Sequence, residues 1–231
     1  MASKSPKHVA IILDGNRRYA KKLGLQPWKG HEYGVKKLNQ FLEWCQELGI
    51  RELTLYAFST ENFKRTKTEK NFLFNIFKQE FSNMKHRKDI FENKIKINVI
   101  GRLNMFPKGI QKSIRDIMSK TKKHNKFIVN FAMAYGGRQE IVDALKKIIK
   151  DSKKPSPENI NERLITKNLY LKSEPDIVIR PGGEKRMSNF LLWQSSYAEL
   201  FFLKKLWPEF TKNDLKKVIE EFNQRERRFG E

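Results

Sequence analysis

Six short apolar runs recur along this chain, and amphipathic stretches separate most of them. The runs are Val9 to Leu13, Leu53 to Ser59, Ile95 to Gly101, Phe127 to Gly137, Asp176 to Arg180 and Glu199 to Leu203. Most are too short for ordinary helices and rich in β-branched or aromatic residues, so they read as buried strands. Between the first two, Val35, Leu38, Leu42 and Cys45 recur at helical spacing, and Gly49 is a natural helix stop. Helical patterns also cover Phe72 to Phe81, Lys108 to Lys122, Arg138 to Lys150, Glu158 to Tyr170 and Lys212 to Arg228. Alternation of this kind predicts α/β architecture: a central, mainly parallel six-stranded sheet flanked by helices. The polar Asp151 to Pro157 stretch reads as a loop. Too little chain follows it for a separate core, so residues 1–231 are expected to form one domain.

The ends of these runs carry the chemistry. The first stops at Asp14-Gly15-Asn16-Arg17-Arg18, where a helix pattern begins. The second stops at Phe58-Ser59-Thr60-Glu61-Asn62, with Arg65 beyond, and the fifth at Arg180-Pro181-Gly182-Gly183-Glu184, with Arg186 and Ser188 behind it. The sixth begins at Glu199. In an open parallel sheet, ligands bind at the carboxyl ends of strands. Helix starts favour anions, and guanidiniums match phosphate oxygens with two parallel donors. Arg18, Arg65, Arg180 and Arg186 beside Asp14 and Glu199 suit more than one diphosphate and a divalent metal. One or two carboxylates completed by substrate phosphate is the ligand set magnesium favours. Each piece alone is weak, since a lone Asp-Gly is usually a turn and an arginine pair a solvated face. His31 follows Gly30 at a helix start, which suits a phosphate contact and an ordinary helix-start residue alike.

Composition narrows the partners. A formal charge of +22 points to anions: phosphorylated substrates, nucleic acid or an anionic membrane surface. No aromatic-interleaved nucleic-acid motif accompanies the charge, so nucleic acid is not expected. The single cysteine, Cys45, excludes an internal disulfide framework and a Cys-based metal site. No Walker-type glycine loop and no DDxxD run is present, against a nucleotide triphosphatase and against the all-helical prenyl-transfer enzymes. With no apolar run of membrane-spanning length and no apolar signal region in MASKSPKH, a cytoplasmic protein is expected. Peripheral contact with an anionic membrane stays open.

Several blocks together carry a resemblance. HVAIILDGNRRYAKK, the Gly30-His31 pair, LYAFSTENFKR, FAMAYGGRQEI, DIVIRPGGEKRMSNFLLWQSSYAELFF, LWPEF and RERRFG occur in this order across nearly the whole chain. It closely resembles the cis-prenyltransferases, which include undecaprenyl and dehydrodolichyl diphosphate synthases. The resemblance implies a homodimer or heterodimer that condenses isopentenyl diphosphate with an allylic diphosphate, such as farnesyl or geranylgeranyl diphosphate, and that requires magnesium. It implies that Asp14 handles the magnesium-bound allylic diphosphate, lined by Gly15, Asn16, Arg17, Arg18 and His31. Phe58, Ser59, Asn62 and Arg65 match residues around the reacting carbons and leaving group, with Asn62 as a catalytic group beside Asp14. Arg180, Arg186 and Ser188 match the isopentenyl diphosphate clamp, and Glu199 a metal-linked carboxylate there. Arg228 and Gly230 match a C-terminal motif that reaches across the dimer into the neighbour's site.

The hydrocarbon product requires an apolar tunnel, for which Phe72, Leu73, Phe74, Ile76 and Phe77 are candidate walls, with small Ala57 near its entrance. Arg17 and Tyr19 depart from many bacterial members toward eukaryotic and archaeal ones. Pro27 stands where many members carry an arginine near the allylic diphosphate, a contact that Lys29 or Arg17 is placed to replace. A non-catalytic scaffold subunit would have lost Asp14, Arg18, Arg65, Arg180 or Arg186, and all are present, which favours a self-sufficient homodimer.

Overall fold

The computed structural model describes residues 5–150 and 155–225. Strand β1 (His8–Ile12) leads through α1 (Asn16–Lys22) and α2 (Gly30–Glu47) to β2 (Glu52–Ser59). Helices α3 (Lys67–Met84) and α4 (Lys88–Glu92) precede β3 (Ile95–Ile100), and α5 (Lys108–Lys120) precedes β4 (Phe127–Tyr135). Next come α6 (Gly137–Lys150), α7 (Glu162–Asn168), β5 (Ile177–Arg180), β6 (Glu199–Phe202) and α8 (Lys212–Gln224). All strand pairs are parallel, in the order β3-β4-β2-β1-β5-β6. The chain returns to either side of β1, so the carboxyl end of β1 lies at the point where strand order reverses, where such sheets bind ligands.

The two faces of the sheet are covered unequally. Val9, Ile11, Leu53, Leu55, Val129 and Ile177 face a large core with Phe41 and Cys45 of α2, Leu73 and Phe81 of α3, Ile110 and Ile114 of α5, and Leu215 and Phe222 of α8. Ala10, Ile12, Tyr56, Ala132 and Val178 face a smaller one closed by Leu171, Phe190 and Leu191. Alternation along the strands sets this partition. It breaks where the pairing of β2 with β4 shifts register on both sides of Phe58: Phe58 joins the same large core as Leu53 and Leu55, and on β4 the consecutive Met133 and Ala134 both face it.

The helix expected over Glu158 to Tyr170 is shorter than its pattern. Pro157–Asn159 makes a 3-10 turn, and α7 begins only after Asn161, whose side chain caps the Leu164 N–H at 3.0 Å. No helix among the described residues is long and apolar enough to cross a membrane.

Candidate active site

Asp14 sits just past β1, and both of its carboxylate oxygens accept hydrogen bonds from guanidiniums. Arg18 Nη2 donates to Oδ1 at 3.1 Å and Arg180 Nη2 to Oδ2 at 2.9 Å. The main chain here is held from across the fold, because Trp207 N–H donates to the Asp14 carbonyl at 2.8 Å and its indole N–H to Gly34 at 3.0 Å. Gly182, with φ +99°, must be glycine: a Cβ would lie 2.6 Å from Arg18 Nη2 and 3.2 Å from Asp14 Cγ. Gly30 is set by the same logic, since a Cβ there would lie 1.9 Å from the Asn16 carbonyl oxygen. The sequence thereby lets α2 press against the start of α1 and brings His31 beside Asn16.

Arg180 ends β5 and is only 5% exposed. Its Nη1 donates to Ser188 Oγ at 2.7 Å and to the Arg186 carbonyl at 2.5 Å, while its Nε has no hydrogen-bond partner among the described residues. Tyr56 O–H donates to the Ser188 carbonyl at 3.2 Å, holding the same loop. The Arg186 side chain stands in solvent, paired with Glu184 at 2.6 Å. One group is thus fixed and dry and the other is free to swing.

A second cationic group gathers on the α2–α3 side. Arg65 Nη1 donates to Glu69 Oε1 at 3.0 Å, His31 Nε2 lies 3.5 Å from the same oxygen, and Arg17 Nε lies 3.8 Å away. His31 Nε2 is also 3.4 Å from Arg65 Nη1, so the imidazole tautomer selects which neighbour it bonds. Burial holds His31 below the ordinary imidazole range, against the raising effect of Glu69. Glu69 is held below the usual carboxylate range, first by its hydrogen bond to His31 and then by Arg65 and Arg17, against the cost of burial. A neutral imidazole beside an ionised carboxylate leaves Arg17, Lys21 and Arg65 in excess. These cations rim a pocket of about 450 Å³ together with Leu13, Asp14, Gly15, Asn16, Arg18 and His31.

That pocket shares Asp14, Asn16, His31 and Arg65 with a larger cavity of about 670 Å³. Its mouth is polar, with Ser59, Asn62, Arg180, Arg186 and Ser188; its interior is apolar, with Val35, Leu38, Leu42, Leu73, Ile76, Phe77, Phe81, Phe131 and Met133. Asn62 Oδ1 accepts the Ser59 N–H at 3.1 Å, capping the turn that follows β2. Ala57 lines the cavity as expected of a small entrance residue.

Asp14, Gly15, Asn16, Arg17, Arg18, His31, Ser59, Asn62, Arg65, Arg180, Arg186 and Ser188 therefore all border one or both pockets. Two expected residues do not. Phe58 is 1% exposed and packs edge-on against Phe63 and Phe77, because the register shift turns it into the core. Glu199 opens β6 opposite Ile177, whereas Arg180 is opposite Phe202, so in a parallel sheet Glu199 lies at the far edge from Asp14. It pairs there with Arg225 at 2.5 Å. Within one subunit Asp14 and Glu199 share no metal site. Of the tunnel candidates, Leu73, Ile76 and Phe77 line the cavity, whereas Phe72 and Phe74 do not. Phe74 instead packs on Phe106, 5.4 Å between centroids. Arg228 and Gly230 lie outside the described residues.

Sequence reasoning missed Lys21 and Glu69. Both had a local signal: Lys21 follows Arg17 and Arg18 by one helical turn, and Glu69 follows Arg65 by four residues. Lys21 and Arg17 line the smaller pocket, and Lys29 does not.

Comparison with known proteins finds relatives over nearly the whole chain. A family model described as putative undecaprenyl diphosphate synthase matches residues 12–230. The tritrans,polycis-undecaprenyl-diphosphate synthase (geranylgeranyl-diphosphate specific) of Pyrococcus abyssi is 52% identical over 97% of this chain and 87% of its own length. Its namesake in Methanopyrus kandleri is 45% identical over 97% and 84%. The crystal structure of lavandulyl diphosphate synthase from Lavandula x intermedia, in complex with dimethylallyl diphosphate, superposes with TM-score 0.92 at 34% identity, covering 98% of this chain and 99% of that one. A probable undecaprenyl diphosphate synthase from Campylobacter jejuni gives TM-score 0.83 at 37% identity, covering 99% and 100%.

Proposed function

This chain belongs to the prenyltransferase family described as putative undecaprenyl diphosphate synthases, and from that premise we propose that it condenses isopentenyl diphosphate with geranylgeranyl diphosphate into a polycis-prenyl diphosphate. The observation that carries the reading is one cavity with a guanidinium-rich mouth and an apolar interior, which complements an amphiphile with a diphosphate head and a hydrocarbon tail. The primer follows the specificity in the names of the archaeal relatives.

In this reading the allylic diphosphate lies against Arg17, Lys21, His31 and Arg65, with its tail between α2 and α3. Isopentenyl diphosphate lies against Arg180, Arg186 and Ser188, and the free Nε–H of Arg180 gives that head group a buried donor. The allylic C–O bond breaks, its electron pair leaves with the diphosphate, the isopentenyl double bond attacks the allylic carbon, and a proton is released to set the new alkene. Guanidiniums aimed at the departing diphosphate stabilise charge as it develops, and holding both substrates at one edge removes the entropic cost of their encounter.

Asp14 is the carboxylate where the two pockets meet. Among the described residues no three His, Cys, Asp or Glu side chains cluster. One carboxylate plus substrate phosphates is a set that magnesium accepts, so the site fits the ion with Asp14 as its protein ligand. When bound, the ion would neutralise diphosphate charge. Arg18 is half exposed, and with Nη1 held on the Gly182 carbonyl at 2.6 Å its Nη2 can turn from Asp14 to a phosphate.

A homodimer belongs to the same proposal. Val142, Leu145 and Ile149 form an exposed apolar stripe on α6, at 45%, 37% and 64%. Such a stripe favours a covered face. Arg228 and Gly230 would serve a neighbouring site.

The experiment is incubation of the enzyme with labelled isopentenyl diphosphate and allylic primers of ten, fifteen and twenty carbons, with and without a chelator, products resolved by chromatography. Elongation of the twenty-carbon primer, lost on chelation, is expected. Failure to elongate any primer overturns the activity, and undiminished elongation with chelator overturns the magnesium role.

A further inference from the structure

The apolar cavity is bracketed by two polar ties. Helices α2 and α3 flank it, and their cavity-facing residues step along each helix: His31, Gly34, Leu38 and Leu42 on α2, and Leu73, Ile76, Glu80 and Met84 on α3. At the mouth, His31 of α2 meets Arg65 and Glu69. At the other end Arg87, in the turn after α3, donates from Nη1 to Asn39 Oδ1 of α2 at 2.7 Å. Among the described residues these are the side-chain hydrogen bonds that join α2 to the segment from Arg65 to Glu92.

The distal tie is built rigidly. Arg87 also grips Asp89 with both arms, Nε to Oδ1 at 3.1 Å and Nη2 to Oδ2 at 2.5 Å, so the guanidinium is fixed from behind while it holds Asn39. Asn39 and Glu80 are the polar residues lining the cavity far from its mouth, and Arg87 stands behind them. Hydrocarbon does not replace hydrogen bonds, so a chain pushing past this point would have to part the Asn39 Oδ1 acceptor from the Arg87 Nη1 donor, while Asp89 keeps the other arms of the guanidinium in place.

Resting on the proposed activity, we propose that the Arg87–Asn39 bridge is the distal latch of the tunnel and sets the length at which the polyprenyl product stops growing. A chain whose end reaches the latch meets a polar break in the apolar wall, at Asn39 and Glu80. Elongation then competes poorly with release.

The test is the product ladder of Arg87→Ala with geranylgeranyl diphosphate and labelled isopentenyl diphosphate. Arg87 does not border the cavity, so the rate of the first condensation should stay within about twofold, while the dominant product lengthens by at least one five-carbon unit. Arg87→Lys, which keeps the charge and loses the fork, should lie between wild type and Arg87→Ala. Glu80→Leu leaves the bridge intact and should leave the dominant length unchanged. An unchanged or shortened ladder in Arg87→Ala that still unfolds cooperatively overturns the proposal. So does lengthening by Glu80→Leu without lengthening by Arg87→Ala, because the stop would then be the carboxylate. Absence of any first condensation in the wild-type enzyme would instead reject the activity, a result separate from both.

Discussion

The mouth of the cavity and its interior are built on opposite plans. At the mouth, side chains are tied by direct charge-assisted bonds: Asp14 to two guanidiniums, and Glu69 to Arg65, with His31 and Arg17 beside it. Removing one leaves its partner's charge unmatched: Arg17 and Arg18 reach solvent, where the fold registers little of it, whereas Arg180 and Glu69 are nearly buried and need a matched partner. The interior depends on shape. Phe77 borders the cavity and also touches Phe58, so one ring serves tunnel wall and core together. Electrostatic errors at the mouth should therefore appear in rate, and packing errors inside should appear in stability or in product length.

The largest effect is expected from Asp14→Asn. The amide preserves shape and an acceptor oxygen but carries no charge for a metal-bound diphosphate. Turnover should fall by about 10²–10³-fold or more, the scale on which a single electrostatic group acts on a transition state. The thermal midpoint should move little, whereas Asp14→Ala also strips a partner from the buried Arg180 and should unfold at lower temperature. Near-normal turnover in the folded Asn variant would remove Asp14 from the chemistry.

Next come the two cation groups taken separately. Arg180→Ala should weaken isopentenyl diphosphate and Arg65→Ala the allylic substrate. Each should do so by about one to two decades in KM, corresponding to roughly 1.5–3 kcal/mol for a charge-assisted hydrogen bond. Steady-state titration of each substrate decides it, and a reversed pattern would exchange the two subsites.

Inside the cavity the contrast is between rings that resemble each other in sequence. Phe58→Ala should cost about 3–5 kcal/mol of stability as a core truncation and leave product length alone. Phe77→Ala should lengthen the product, whereas Phe72→Ala and Phe74→Ala should not. Chromatographic ladders from the four variants, compared with their unfolding midpoints, test the division.

The same contrast explains what was legible in the sequence. Strand ends announce themselves, since an apolar run that stops at a charged residue fixes which edge that residue occupies. Asp14, Asn62, Arg65 and Arg180 were accordingly readable, and so was the parallel sheet. Glu199 opens its strand where Asp14 and Arg180 close theirs, and parallel pairing sends it to the other edge. The resemblance to a family motif alone could not reveal that. Apolar periodicity identifies the inward face of a helix without saying whether a core or a void lies opposite, hence the misplacing of Phe72 and Phe74. Phe58 needed the register shift in β2, which leaves no mark in composition. Glu69 was overlooked because a carboxylate in a cationic site looks like a solvated surface residue until its burial is seen.

The smallest expected effect concerns the mouth as a stability element. The His31 pKa is lowered, first by burial, so the folded protein binds a proton there less readily than the unfolded chain. Stability from this group is complete above the unfolded imidazole value near 6.5 and declines as pH falls below it. Lowered Glu69 acts with the same sign at more acidic pH, since stability from its ionised form is lost as pH falls through its folded value. His8, buried at the amino end of the sheet and bonded to Thr54 at 2.8 Å, is also held down by burial and adds to the first slope. His31→Gln should then remove part of the fall in unfolding midpoint between about pH 7 and pH 5.5, with His8 supplying the remainder. A variant with the full wild-type slope would mean that His31 titrates normally. The neutral imidazole beside ionised Glu69, and with it the excess of positive charge at the mouth, would then have to be redrawn.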